Sequence, residues 1–200
     1  MDRNRNATVL KIGAACHHAA MPLDEYAVEP FTHDGEHYSI TEMTGAPVPT
    51  RRPPLVIGGG GKRVLSIAAR HADVVGVNVN LASGVIGPEA GADGTPARSD
   101  EKVGWIRSAA GDRYDDIELN TRVHIATVTD DRIAVAEMLA GGLGLSVEDA
   151  LAAPHALVGT KDQICEDLHR IRDRWDISYF SLGIESVDEM APVVAEMAGT

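Results

Sequence analysis

Hydrophobic and polar positions along the chain predict strands and helices in alternation. Short runs rich in valine, isoleucine and leucine are typical of strands buried in a parallel sheet, and apolar residues three and four positions apart indicate one buried helix face. In the first predicted helix that face comprises Val64, Leu65, Ala68 and Ala69. The predicted strands are Leu55–Ile57, Asp73–Val79, Ile117–Val128 and Ser178–Gly183, and the predicted helices span residues 62–72, 100–110, 130–140, 146–153, 160–175 and 186–197. This alternation predicts a parallel sheet with right-handed crossovers.

Four βα units follow one another, whereas a closed (β/α)8 barrel has eight. We therefore predict an α/β fold that forms half of a TIM barrel, with an open doubly wound sheet as the alternative. Capping boxes, in which serine or threonine precedes an acid or amide by three positions, begin at Ser146, Thr160 and Ser186 and predict the starts of three helices. Gly141 and Gly142 predict the end of an earlier helix.

The N-terminal part of the chain is patterned differently. Residues 1–27 have no sustained period, and we expect residues 28–200 to form a single domain. Residues 31–41 predict a hairpin around a two-residue turn at Asp34-Gly35. Residues 81–98, rich in glycine, proline and alanine, predict a long loop of the kind that usually serves a function.

Composition and charge narrow the range of functions. The formal charge is −12, and residues 71–200 carry 23 acidic against 10 basic residues, which argues against nucleic acid or an anionic membrane as a partner. Two cysteines, Cys16 and Cys165, do not make a disulfide framework, and we expect Cys165 to be buried in a helix. No apolar run reaches the about 18 residues that a membrane-spanning helix needs. These features predict a cytoplasmic protein.

Four consecutive glycines, Gly58 to Gly61, are the strongest indication of a binding site. A strand that turns through glycines into a helix leaves backbone N–H groups to hold a phosphate, and the helix dipole favours the anion. The segment is not a P-loop, because Arg63 rather than serine or threonine follows Gly61-Lys62. It is not a dinucleotide fingerprint either, because Arg63 takes the place of the last glycine. The alternative is a tight turn, although four glycines exceed what such a turn needs.

Two asparagines follow the next predicted strand. Asn78 and Asn80 lie at its carboxyl end, where parallel α/β folds bind their ligands. Asparagine can donate hydrogen bonds to a phosphate or a ring carbonyl, and strand-end turn chemistry is the alternative. Further along, Arg122 and His124 are two positions apart and so lie on the same face of a predicted strand. On that face Arg122 would meet either an anionic substrate or solvent. We expect His124 to be a packed histidine.

The other histidines predict no metal site. His33 and His37 are four positions apart, but the Asp34-Gly35 pair between them excludes a helix. His17-His18 resembles an exposed pair. The sequence shows neither a Ser-His-Asp set nor a Cys-x-x-Cys metal pair, so it assigns no catalytic residue.

Four segments of the chain resemble segments of a known family and occur in the same order as in that family. They are PFTHDGEHYSI at 30–40, PPLVIGGGGKRVLSIAARHADVVGVN at 53–78, AAGDRY with IEL at 109–119, and LVGTKDQICEDLHRIRDRWDISYFSLG at 157–183. They resemble the bacterial luciferase-like monooxygenase superfamily, and within it the class that uses the deazaflavin coenzyme F420. Each segment alone is moderately specific, and the shared order makes the resemblance strong.

The resemblance implies a fold, a cofactor and a chemistry. The fold is a (β/α)8 barrel, of which this chain holds about four C-terminal βα units. The cofactor is coenzyme F420, with FMN as the alternative, and the chemistry is hydride transfer or oxygen activation on a small-molecule substrate. The cofactor's phosphate is held by the glycine turn and by the end of the next strand. The residues implied to bind it are Gly58, Gly59, Gly60, Gly61, Asn78 and Asn80.

The chain departs from the family in its length. Members usually have about four more βα units ahead of this part, and those units carry the groups beside the reactive ring. We therefore expect an N-terminally truncated member, either an oxidoreductase that needs the rest of the barrel or a non-catalytic paralogue that keeps its phosphate site. An unrelated phosphate-handling enzyme, such as a sugar-phosphate isomerase, is a third alternative. We also expect a homodimer that pairs the sheet edges at 55–57 and 178–183.

Overall fold

The computed structural model describes residues 30–44, 53–81 and 84–198. Contacts divide the chain into two compact units, Met1–Leu55 and Val56–Thr200, and each is described by itself. The domain boundary that the sequence predicts ahead of the hairpin stays a prediction, because it lies outside the described residues.

The described part of the first unit is a β-hairpin, as its sequence predicts. Strand β1 (Phe31–Asp34) pairs antiparallel with β2 (Ser39–Met43). The connection is longer than the predicted two-residue turn: the N–H of Gly35 donates to the carbonyl of Tyr38 at 3.1 Å, and the Ser39 hydroxyl donates to the Asp34 carboxylate at 2.6 Å. The side chain of Asp34 thus stabilises a wider loop in place of the tight turn.

The second unit alternates strands and helices. Its strands are β3 (Val56–Gly59), β4 (Val74–Val77), β5 (Glu118–Arg122), β6 (Ile125–Val128), β7 (Ala156–Gly159) and β8 (Ile177–Ser181). Its helices are α1 (Lys62–His71), α2 (Pro88–Asp93), α3 (Pro96–Ala110), α4 (Arg132–Leu143), α5 (Val147–Ala152), α6 (Lys161–Trp175) and α7 (Val187–Met197). Among the helices of the described residues, none combines the length and the apolar character needed to cross a membrane.

The main sheet has four parallel strands in the order β3-β4-β5-β8. These are the four strands that the sequence predicts, and helices connect them along the chain. Strand β4 is buried over its whole length, with Val75 and Val77 fully covered, as its valine-rich sequence indicates. The sheet confirms the predicted α/β fold and agrees with a partial (β/α)8 barrel. Its outer strands are β3 and β8.

One predicted strand is two strands in the structure. The sequence predicts a single strand over 117–128, but β5 pairs with β4 and β8, whereas β6 pairs with β7 in a separate two-stranded sheet. The change of partner occurs between neighbouring residues, because the N–H of Val123 donates to Ser181 at 3.0 Å and that of His124 to His155 at 2.8 Å. The hydrophobic pattern does not show which strand a residue pairs with, so the break between β5 and β6 was not predicted. Strand β7, the partner of β6, was not predicted either.

Helices α2 and α3 take up most of the second half of the long loop predicted over 81–98. Pro88 and Pro96 stand in the first turns of α2 and α3, where the missing N–H of proline leaves no helical hydrogen bond unmade. Thr95 caps α3 by accepting the N–H of Arg98 at 3.4 Å. The loop prediction was wrong because these prolines mark the starts of helices.

Two of the predicted helix ends are confirmed and two differ from the prediction. Ser146 and Thr160 cap α5 and α6 as predicted, and Thr160 forms a complete capping box with Gln163. Ser186 does not cap α7: it is buried at the end of a short 3-10 turn that leads into the helix, and its hydroxyl makes no cap hydrogen bond. Helix α4 does not stop at its glycine pair but continues to Gly144, which ends it with a left-handed φ of 66°.

The predicted buried faces agree with the structure except at their margins. On α1, Leu65, Ala68 and Ala69 are fully buried, whereas Val64 is 43% exposed. Cys165 is buried in α6, as predicted. These helix faces pack against the parallel strands, and the carboxyl ends of β3, β4 and β5 lie together at one edge of the sheet.

Candidate functional site

The four glycines lie where β3 ends and α1 begins. Gly58 and Gly59 belong to the strand, which extends two residues further than predicted, Gly60 forms the bend, and Gly61 is the N-cap of α1. The backbone therefore turns from strand to helix within two residues. Such a turn brings the backbone amides close to any group that sits on it.

Gly60 lies against the loop that follows β4. A Cβ at Gly60 would come within 2.4 Å of the backbone nitrogen of Asn80 and 2.6 Å of its Cα. A Cβ at Gly58 would come within 2.9 Å of the Asn78 side-chain amide, whereas a Cβ at Gly61 would meet nothing within 4 Å. The structure thus brings the predicted glycines and asparagines together, and only some of the glycines are needed for close packing.

Helix α1 begins without a side-chain cap. Gly61 has no side chain to bond the first N–H groups, the first turn contains no acidic residue, and Lys62 and Arg63 are exposed there. The first N–H groups of any helix have no partner within the helix, and the helix dipole makes this end positive. The corner between β3 and α1 therefore favours an anion.

Asn78 joins three strands at the same edge. Its backbone N–H donates to the carbonyl of Gly59 at 3.1 Å, and its side-chain oxygen accepts the N–H of Arg122 at 3.3 Å. On the next strand, Asn120 donates to the carbonyl of Tyr179 at 2.9 Å. The ends of β3, β4 and β5 are thereby linked through the backbone and the side chain of one residue, Asn78.

A buried lysine supports the loop after β4. Lys102, on α3, is fully buried, and its Nζ donates to the carbonyls of Asn78 at 2.9 Å and Asp93 at 2.8 Å. It also pairs with the Asp93 carboxylate at 2.5 Å, and that carboxylate accepts the N–H of Asn80 at 2.7 Å. The Lys102–Asp93 pair thus fixes the backbone of both asparagines.

The two partners of this pair respond differently to their surroundings. Burial lowers the pKa of Lys102 even though Asp93 favours its charged form. Burial alone would raise the pKa of Asp93, but hydrogen bonds from Lys102, Asn80 and Arg98 lower it below its ordinary value. The difference has a physical basis, because the Lys102 side chain is fully covered whereas 13% of the Asp93 side chain is exposed.

A sequence signal for Lys102 was present. Ser99, Lys102, Val103 and Ile106 follow the i, i+3, i+4, i+7 spacing of a buried helical stripe, and all four are buried. A lysine in such a stripe indicates a buried charge that needs a partner. The sequence analysis missed it because Asp93 lies in the segment predicted to be a loop.

The family model of luciferase-like monooxygenases matches residues 18–85, a segment that includes the glycine turn and both asparagines. The chain is related to the luciferase-like monooxygenases. This match confirms the resemblance predicted from the sequence. No curated protein matches the chain significantly.

Solved structures share the fold of this chain. An F420-dependent secondary alcohol dehydrogenase, in complex with an F420–acetone adduct, is 13% identical with a TM-score of 0.57, over 84% of this chain and 56% of that one. The coenzyme F420 dependent tetrahydromethanopterin reductase from Methanopyrus kandleri is 14% identical with a TM-score of 0.60, over 88% and 59%. Riboflavin lyase with modified FMN and riboflavin is 16% identical with a TM-score of 0.51, over 83% and 48%. The chain thus spans about half the length of these structures, and identities this low show the fold alone.

The remaining candidate residues lie apart from the glycine turn or play other roles. His33 and His37 belong to the hairpin of the first unit, where the His33 ring packs beside that of Phe31. Arg122 is exposed at the end of β5. His124 is half-buried at the break between β5 and β6, and both burial and the charge of Arg122 lower its pKa. His17 and His18 lie outside the described residues.

A second histidine, His155, lies beside His124 and was missed by the sequence analysis. It precedes β7, is 7% exposed, and its ring centroid is 6.2 Å from that of His124. Its Nδ1 lies 3.1 Å from the Thr121 hydroxyl and 3.3 Å from the carbonyl of Arg122. Burial lowers the pKa of His155 to about 4, and the charges of Lys102 and His124 act in the same direction, whereas the Arg122 carbonyl and Asp93 oppose it.

We expect His155 to make the protein less stable in mild acid. The unfolded chain protonates this histidine below its ordinary pKa of 6.5, whereas the folded chain does so only near pH 4, so the unfolded state binds more protons in between. The free energy of unfolding should fall between pH 6.5 and 4 by up to about 3 kcal/mol from this residue. His155→Gln should flatten that part of the profile in urea titrations. The exposed His71→Gln control should leave it unchanged, and equal pH profiles for the wild type and His155→Gln would contradict the prediction.

Proposed function

We propose that this chain holds the phosphate of a deazaflavin or flavin cofactor as part of a luciferase-like oxidoreductase. Coenzyme F420 is the favoured cofactor and FMN the alternative. The observation that carries the proposal is the glycine turn, whose bend at Gly60 packs onto Asn80 so closely that no side chain fits. The turn leads into a helix end without a cap or an acidic residue. Structures of the same fold that are F420-dependent or hold modified FMN support it.

The residues of the site fit a phosphate in their chemistry. The amides of Gly58–Gly61 and of the first turn of α1 donate hydrogen bonds, and the side chains of Asn78 and Asn80 can do so from the next strand. Lys62 and Arg63 attract the anion without needing direct contact. When bound, the cofactor supplies hydride transfer at its ring, and FMN can also activate oxygen.

The proposal is tested by pairs of ligands, one with the phosphate and one without it. FMN should bind and be displaced by inorganic phosphate, whereas riboflavin, which lacks the phosphate, should bind at least about tenfold more weakly, since hydrogen bonds to a charged group contribute about 1.5–3 kcal/mol. Coenzyme F420 and its phosphate-free deazaflavin form a second matched pair, and the two pairs together rank F420 against FMN. Titration calorimetry measures both, and equal affinities within each pair would refute the phosphate site.

A non-catalytic phosphate-binding protein is the second candidate. The groups at the turn are glycines and asparagines, which bind a phosphate but do not exchange protons near neutral pH, and such binding acts equally on ground and transition states. Oxidation of F420H2 or FMNH2 by the purified 200-residue chain separates the two candidates. As part of the first candidate, we also propose that the substrate is a small molecule, that the protein is cytoplasmic, and that two copies pair through β3 and β8.

A further inference from the structure

A cavity of about 240 Å³ lies between α2, α4, α5 and the β6–β7 pair. Its walls are almost entirely apolar and include Val79, Leu139, Leu145 and Ala153. Ile86 and Met138 also line it and are 57% and 68% exposed, so the cavity reaches the surface beside them. The only ring nitrogens on its walls are those of His124 and His155.

The hydrogen bonds of His155 settle which of its nitrogens carries the proton. The Thr121 hydroxyl donates to the carbonyl of Val77 at 2.8 Å, so its oxygen accepts at the other contact, with Nδ1 of His155. The second neighbour of Nδ1, the carbonyl of Arg122, can only accept. Nδ1 therefore carries the hydrogen, and Nε2 carries a lone pair.

The Nε2 atom of His155 is buried and has no hydrogen-bond partner. A buried acceptor without a partner is unfavourable, and His155 is one of the residues that line the cavity. The group is neutral at physiological pH, because it titrates far below it. The apolar wall of the cavity therefore includes a histidine whose Nε2 lacks a donor.

We propose that this cavity binds a small, uncharged alcohol or phenol, whose hydroxyl donates to Nε2 of His155 while its hydrocarbon part fills the apolar space. A cavity of 150 Å³ accommodates benzene, so about ten non-hydrogen atoms fit here by volume. Ions are disfavoured, because the apolar walls offer no compensation for lost hydration. The proposal does not require phosphate binding, although Val79, which lines the cavity, lies between the two asparagines of the glycine-turn site.

The test compares two molecules of the same shape, 4-ethylphenol and ethylbenzene, on the intact 200-residue chain by two-dimensional NMR. 4-Ethylphenol should bind saturably, shift the amide signals of Ala153 and Ala156, and bind about tenfold more tightly than ethylbenzene, since only the phenol pairs with the buried acceptor. The ¹⁵N signal of His155 Nε2 should move on binding of the phenol and stay in place with ethylbenzene.

His155→Leu removes the acceptor and should bring the affinity ratio of the two molecules close to one. His71→Leu, an exposed histidine at the end of α1, should keep the tenfold ratio. The wild-type comparison stands without either variant, so a variant that fails to fold does not decide the result. The proposal is overturned by an absence of saturable binding, by equal affinities for the two molecules in the wild type, or by a water that stays on Nε2 when the phenol is added.

Discussion

Replacing Gly60 with alanine should abolish measurable binding of FMN and F420 and lower the free energy of unfolding by about 1–3 kcal/mol, the usual effect of forcing an extra methyl group into packed structure. The new Cβ would lie 2.4 Å from the backbone nitrogen of Asn80 and 2.6 Å from the carbonyl carbon of Val79. Backbone atoms cannot rotate away as the tip of a side chain can, so the loop after β4 must shift. Calorimetric titration and urea unfolding measure the two effects.

Gly61→Ala is the matched control. A Cβ there meets nothing within 4 Å, and its φ of −105° and ψ of 150° are open to alanine. Gly61→Ala should therefore bind the cofactor as the wild type does. Gly59→Val falls between the two, because its Cβ would meet the side chain of Val64, which is partly exposed and can move. Gly60→Ala that binds as tightly as Gly61→Ala would show that the close approach to Asn80 is unimportant.

Replacing Lys102 with methionine should lower the free energy of unfolding by about 3–5 kcal/mol, because it removes one partner of a buried ion pair. The carbonyl of Asn78 loses the hydrogen bond that it accepts from Lys102. The Asp93 carboxylate keeps only its hydrogen bonds from Arg98 and from the N–H of Asn80. The loop after β4 should loosen, and cofactor affinity should fall with it. Urea unfolding and FMN titration report the two consequences separately.

Lys161→Met provides the comparison for a surface pair. Lys161 pairs with Glu196 while 42% of the lysine side chain is exposed, so its removal should change stability far less than Lys102→Met does. Asp93→Asn in combination with Lys102→Met should recover part of the lost stability, since the asparagine side chain carries no charge and does not need the lysine as a partner. A Lys102→Met protein as stable as Lys161→Met would contradict the structural role of the pair.

Local signals in the sequence were sufficient for much of the fold. Short apolar runs, of which β4 is the valine-rich example, marked strands of the main sheet, and Ser146 and Thr160 marked helix starts, because strand burial and helix capping depend on residues close together in the chain. The same local reasoning failed at Ser186, where a preceding 3-10 turn takes the place of the cap. It failed again over 81–98, where proline begins helices.

The candidate site divides in the same way. The glycine run and the asparagines after the next strand were found in the sequence, since the carboxyl ends of parallel strands meet at one edge. Their support by Lys102 and Asp93 was not, because that pair joins residues from two helices to a loop. Contacts of this kind depend on how elements pack, which residue spacing alone does not record.

The sequence by itself determined the alternation of strands and helices, the glycine turn and the relation to the luciferase-like family, all of which depend on residues near one another in the chain. Only the tertiary structure decided that residues 118–128 divide between two sheets, that a lysine is buried under the site, and that His155 lines an apolar cavity and carries a buried nitrogen without a partner. The physical reason is that strand pairing and burial depend on which distant segments come into contact, and those contacts exist only once the chain has folded.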